Sequence, residues 1–523
     1  MFDILIKKGT IINGTGDEMF RGDLGIKDGK ISAIGELQDE RGEIEINAEG
    51  KFICPGFIDV NNHSDTYWQI FLDPDLESLA YQGITTIVGG NCGSSLAPLV
   101  SAKNIESIQK WIDLKQVNVN WLSLEEFFNF LSQREISVNF ATLTGHGTLR
   151  RGILGDEVRS PSPKELKFIE NKLKQAMKQG SLGLSTGLIY THARLASPEE
   201  LKYLAKIVKK YQGIYTSHIK DEANEVMDSL EEAIQIGRDT GVRLHISHLK
   251  VMGAKNWPKM DDAFLLIEKA YENGIDISFD AYPYTNTGSV LYTLLPAWIA
   301  EGGKGMMLYR LKDVAVRAKV ISEMKKSGFE YDKIEIASSI LNKSLTHRKI
   351  SEIARAQGKT VENAIIDILL ASEGRVITSM EVLNERNVKE AIIHPLSMIA
   401  TNGSGYNIDH AKTGEIVHQR SFGSFIKVLE KYVLEEEVIR FEDAIKKMTF
   451  YPAEKYRIER RGALKKGYFA DVVILDRSKI SSPADRKNPY QYCSGVEYLI
   501  VNGKIAIKEG KYEGARNGKI IKR

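Results

Sequence analysis

The chain has 523 residues, enough for a large catalytic domain and an accessory one, each with a core of its own. Its 71 Lys and Arg nearly cancel its 69 Asp and Glu, leaving a net charge of +2, so no polyanionic partner such as nucleic acid is expected. Met1 to Gly14 carries Asp3, Lys7 and Lys8 within a short apolar run, unlike a signal peptide, and no apolar stretch reaches spanning length; a cytoplasmic protein without a membrane partner is expected. Three scattered cysteines, Cys54, Cys92 and Cys493, are too few for a disulfide framework, so a special cysteine would be a ligand.

The N-terminal stretch reads as short strands, Asp3 to Gly9 and Asp23 to Ile31, with Asp28-Gly29 at a hairpin turn. The C-terminal end repeats the pattern in Ala470 to Leu475 and Tyr498 to Lys504, turning at Asn502-Gly503. Residues 1–58 and 455–523 are therefore expected to form one small β-sandwich.

From Asp59 the pattern changes to helices alternating with short strands that end in polar residues, the rhythm of βα units about thirty residues long. Strands are expected at Phe57 to Asp59, Thr85 to Val88, Phe140 to Leu143, Gly183 to Thr186, Ile214 to His218, Ile246 to His248, Ile277 to Asp280 and Ser397 to Ala400. Ser197-Pro-Glu-Glu200 predicts a helix opened by a capping box, ending before Gly213. Eight strands predict an α/β fold, a (β/α)8 TIM barrel over residues 59–454, with its chemistry at the C-terminal strand ends. Residues 285–395 are too many for one connection and read as an inserted lid with helices at Asp313 to Lys326 and Thr360 to Leu370.

His63, Cys92, His218 and His248 fall at or just beyond strand ends, where a barrel would gather them. One thiolate and imidazoles suit zinc, and three protein ligands leave a position for water. His245, three residues before His248, should face the other way and takes no metal role.

Pro55-Gly-Phe-Ile-Asp-Val-Asn-Asn-His63 resembles the strand-one signature of the amidohydrolase superfamily, and Gly83-Ile-Thr-Thr-Ile-Val-Gly-Gly-Asn-Cys-Gly93 the cysteine motif of the N-acyl-D-amino-acid deacylases. Further matches run through Gly145-His-Gly-Thr-Leu-Arg150, Gly183 to Leu188, Ser217-His-Ile-Lys-Asp-Glu222, Ile246 to Lys250, Tyr282-Pro-Tyr-Thr285, His418-Gln-Arg420 and Lys447-Met-Thr449, almost the whole chain. The resemblance implies a zinc-dependent hydrolase of small N-acyl amino acids that carry a carboxylate. Cys92, His218 and His248 would hold the tight zinc, and Lys250, Tyr282, Arg420 and His146 would bind the substrate.

Departures from the family pattern accompany the likeness. Asn61 stands where the first histidine of the strand-one pair is expected, leaving His63 a weak ligand for a second metal, so one zinc per chain is expected. Asn402 stands where the family's aspartate carries the proton from water to the leaving amine; an amide cannot do that, and Asp65, Asp221, Glu222, Asp409 and His410 are the nearby groups that could substitute. Lys220 and Gly288 replace an expected arginine and serine. These departures define an alternative, an impaired or non-hydrolytic relative acting as a binding protein or in another zinc-assisted reaction. Oligomeric state leaves no signal in the sequence.

Overall fold

A computed structural model describes residues 1–105, 118–155, 157, 159–339 and 345–523. Eight parallel strands form the barrel: β1 (Phe57–Asp59), β2 (Ile84–Gly89), β3 (Asn139–Thr142), β4 (Gly183–Gly187), β5 (Ile214–His218), β6 (Arg243–Ile246), β7 (Ile277–Ala281) and β8 (Ser397–Ile399). All eight expected strands are present. Every strand residue except Arg243 is buried, as expected of strands covered on one side by helices and packed on the other into the barrel interior.

The ladder runs unbroken from β1 to β3 and from β4 to β8, and two seams close it. At one, Leu182 N–H donates to Thr142 O (2.9 Å). At the other, the Asp59 carboxylate accepts from Thr401 N–H (3.0 Å) and Thr401 Oγ1 (2.5 Å), while His63 N–H donates to Gly403 O (2.7 Å). Burial pushes the Asp59 carboxyl up to about 6 against those hydrogen bonds. This second seam fixes the ends of β1 and β8, which carry His63 and Asn402, relative to each other.

The helix after β4 spans Pro198–Lys210 and buries Leu201, Leu204 and Val208. Only half of its expected capping box forms. Ser197 Oγ accepts from Glu200 N–H, but the Glu200 side chain turns inward to Arg150 Nη1 (2.6 and 2.8 Å) and His146 Nε2 (2.9 Å). A buried guanidinium demands a carboxylate more strongly than an N-cap amide that water can reach.

The termini supply nine strands in one continuous ladder, Phe52–Pro55 of the N-terminal part pairing antiparallel with Val472–Leu475 of the C-terminal part. The sheet folds over its own core of Ile4, Ile6, Leu24, Ile26, Val472 and Ile474, so both ends are needed to complete it. Both hairpins turn where expected, Asp28-Gly29 and Asn502-Gly503 having positive φ throughout.

Between β7 and β8 the inserted segment contains the two expected helices, Val314–Ser327 and Val361–Ala371, capped by Asp313 and Thr360. It also contains a sheet that the pattern did not suggest: Val376–Met380 lies between Thr287–Val290 and Ile334–Ser339, antiparallel to both. Residues 340–344 of this segment lie outside the described residues. The sheet roofs the C-terminal mouth of the barrel and encloses with it a cavity of about 340 Å³.

Candidate metal centre and substrate cavity

Cys92, His218 and His248 converge at the floor of that cavity, all buried. One donor atom from each lies within 4.8 Å of the others, and among the described residues this is the one group of its kind. Cys92 Sγ is 3.5 Å from His248 Nε2, near the separation of about 3.5 Å that two ligands of one tetrahedral zinc would have. Neither ring nitrogen of His218 has a hydrogen-bond partner among the described residues, and a buried imidazole left in that state is suited to an ion. Together a thiolate and two imidazoles fit zinc.

Cys92 (φ 51°), His248 (φ 39°) and Asn402 (φ 45°) adopt left-handed backbone just past β2, β6 and β8. Such φ values are uncommon outside glycine and cluster at functional sites. For His248 the consequence is a correction: β6 ends at Ile246, and the histidine lies beyond the strand.

Electrostatics favour the thiolate at Cys92 but a protonated His218, which would release its proton as an ion binds. Burial alone would protonate Cys92, but His248 and His218 outweigh it and hold the thiol well below its usual range. Burial opposes charge on His218, yet Glu222 and Cys92 carry its pKa up to about 9. Glu222 is buried, 3.1 Å from His248 Nδ1, 3.6 Å from His218 Nε2 and 2.5 Å from Lys250 Nζ. It orients a ligand histidine as outer carboxylates commonly do. Its signal in the sequence was its place four residues after His218.

Lys250 and Arg420 line the same cavity. Arg420 is 8 % exposed, and its Nε and Nη1 have no partner among the described residues. Its guanidinium carbon lies 5.0 Å from the centre of the Tyr282 ring, and the Tyr282 hydroxyl is likewise buried without a partner among the described residues. Tyr190, which the sequence did not single out, packs edge-on against the His218 ring at 5.4 Å and lines the cavity.

A profile of the amidohydrolase family matches residues 45–507. The chain belongs to the amidohydrolase family. D-aminoacylase of Alcaligenes xylosoxydans xylosoxydans is 29 % identical to this amidohydrolase, covering 100 % of the chain and 98 % of the relative. N-acyl-D-glutamate deacylase of the same organism is 30 % identical, covering 100 % and 96 %. A crystal structure of N-acyl-D-glutamate deacylase from Bordetella bronchiseptica, complexed with zinc and a phosphonate inhibitor, superposes with a TM-score of 0.84 at 29 % identity over 100 % of both chains. The resemblance read from the motifs thus holds across the chain.

Several expected site residues of this amidohydrolase lie elsewhere. His146 is fully buried against Glu200 outside the cavity lining, where it braces the helix after β4. Asp65, a possible base, also lies outside the lining: it accepts from Gly90 N–H and Thr66 N–H, both at 2.7 Å, and so holds the turn that presents Cys92. Asp221 accepts from the N–H groups of Ala223 and Glu225 in its own turn, and Lys220 pairs with Glu232 away from the cavity. Gly288 and His410 do line the cavity, the latter near its rim beside Glu415.

The two asparagines are engaged in different networks. Asn61 Nδ2 donates to both oxygens of Asp280 at 3.2 Å, and Asp280 also takes His245 Nε2 at 2.9 Å. His245 therefore belongs to a buried polar layer inside the barrel and not to the metal group. Asn402 Oδ1 lies 2.9 Å from His63 Nε2, and that nitrogen is 4.0 Å from Cys92 Sγ.

Among the described residues no helix is long and apolar enough to cross a membrane.

Proposed function

We propose that this chain is a zinc-dependent hydrolase that cleaves the amide bond of a small N-acyl amino acid, with N-acyl-D-amino acids as its substrates. The observation that carries the reading is Arg420: a buried guanidinium with two nitrogens partnerless among the described residues opens on the same cavity as the Cys92, His218 and His248 donors. An unpaired buried charge is costly, and a substrate carboxylate would relieve it with paired hydrogen bonds. Lys250 adds a second cation, whereas Tyr282 lies outside the cavity lining and acts through its stacking on the Arg420 guanidinium.

Cys92, His218 and His248 would hold the ion, which when bound supplies an activated water and polarises a carbonyl. Glu222 keeps His248 and Lys250 in position. The lid sheet shields the reacting bond from bulk solvent and holds the substrate against the floor. One ion per chain is the better stoichiometry, because Asn61 is turned to Asp280 and His63 to Asn402.

Asn402 favours a second reading. A carboxamide at the place of the proton carrier suits a binding protein, or a zinc-assisted reaction that needs no base at that place. Zinc-loaded protein offered N-acetyl-D- and N-acetyl-L-amino acids, with release of free amine measured, decides between them. Hydrolysis of D-substrates supports the first reading; tight binding without turnover of either enantiomer supports the second.

A further inference from the structure

Resting on the hydrolase reading, we propose that the centre acts on its own chain: the Asn402 side-chain amide is hydrolysed once, in place, to aspartate. Asn402 lines the cavity beside the three metal-ligand candidates and is 7 % exposed, so water in the cavity reaches it while bulk solvent scarcely does. Its carbonyl oxygen is 2.9 Å from His63 Nε2. With the imidazole proton on that nitrogen, His63 donates to the oxygen that becomes negative when a nucleophile adds to Cγ.

The backbone around Asn402 disfavours the usual route for an Asn-Gly pair, in which the glycine nitrogen attacks Cγ. Gly403 N–H donates to Thr401 Oγ1 at 2.9 Å, and Gly403 O accepts from His63 N–H at 2.7 Å. Aspartate tolerates the left-handed φ of 45° as asparagine does, so conversion leaves the main chain where it is.

The step balances with water alone. A water oxygen adds to Cγ, the Cγ–Nδ2 bond breaks, and both water protons leave with the nitrogen as ammonium; nothing is oxidised or reduced. Lack of a carboxylate base slows such a step by about a hundred- to ten-thousandfold. A single slow event per chain is enough, and its product is a carboxylate facing His63.

The test uses full-length protein purified with chelator and divided in two, one half given an equivalent of zinc and the other kept metal-free. Both are incubated in ordinary and in heavy-oxygen water, and the peptide containing Asn402 is examined by mass spectrometry with the Asn402→Asp protein as standard. The expected result is a time-dependent amide-to-acid mass gain in the zinc-loaded half alone, incorporating one solvent oxygen and co-migrating with the aspartate standard. His63→Phe should bind zinc and show a gain at least tenfold slower. An unchanged mass, an equal gain without zinc, or an isoaspartate product overturns the proposal. Free-amine release from N-acetyl-D-amino acids on the same samples separates the two readings: if the zinc-loaded protein turns them over while its mass stays constant, self-hydrolysis alone fails, and if it does not turn them over, the hydrolase reading fails with it.

Discussion

The Asn402 amide oxygen and His63 Nε2 are 2.9 Å apart, and this hydrogen bond occupies the one side chain expected to serve a second metal, His63. Asn61, two residues from His63, is drawn off by Asp280. Elemental analysis of protein purified without chelator should therefore find about one zinc per chain, and Asn61→His combined with Asn402→Asp should move the count toward two. Cys92→Ser should lower zinc affinity by at least about a hundredfold, given the ion's preference for a thiolate. A wild-type content near two would contradict the one-ion centre.

Arg420 sets stability against function. Removing a buried charge that lacks a carboxylate relieves a desolvation penalty, partly offset by loss of the stacking on Tyr282. Arg420→Met should raise the thermal midpoint of the substrate-free protein, by about 1 to 3 kcal/mol of stability, while weakening calorimetric binding of N-acetyl-D-amino acids by about a hundredfold. A variant that is less stable and binds equally well would show that Arg420 is structural.

Asn402→Asp should raise kcat for N-acyl-D-amino acids by about a hundred- to ten-thousandfold relative to freshly zinc-loaded wild type. Binding should change much less, because on the proposed reading the substrate carboxylate is held by the cations Lys250 and Arg420 and not by residue 402. Steady-state kinetics and calorimetry on the pair of proteins check this, and equal rates would place the proton carrier elsewhere.

Much of the site was legible because its signals are local. Cys92 and His248 follow short strands and His218 ends one, and a closed barrel brings strand ends together wherever they fall in sequence. Long-range pairing was less visible. Glu200 read as a capping residue because its spacing to Ser197 is a local pattern, whereas its partners Arg150 and His146 arrive from another helix. His146 read as a site residue for the converse reason: its motif matched, and only the fold shows that Glu200 holds it outside the cavity. The lid sheet was hidden too, since strands such as Thr287–Val290 and Val376–Met380 are short and separated by helices. What sequence could not supply for Asn61 was its partner, because Asp280 comes from β7, close around the barrel but distant along the chain.

Lys447 offers a test of the barrel's lower end. It is buried, with Nζ hydrogen-bonded to His394 O and Ser397 Oγ beneath β8, and burial pulls its pKa down from 10.5 to about 7. Between those two values the unfolded chain keeps a proton that the folded protein has released. Unfolding then takes up a proton, so this residue makes stability rise with pH from about 7 toward 10.5, by at most about 1.4 kcal/mol per pH unit. Below pH 7 the native state must bury an ammonium, and the full cost is present. Lys447→Met removes that cost without orphaning Ser397 Oγ, which also donates to Ile392 O, so the variant should gain most at low pH. Urea midpoints at pH 7 and pH 9 for both proteins isolate the effect, because every other titrating group cancels in the difference. The wild type should gain more stability than the variant between the two conditions; parallel changes would mean that Lys447 stays charged in the fold and that its carbonyl and hydroxyl partners solvate the ammonium as well as water does.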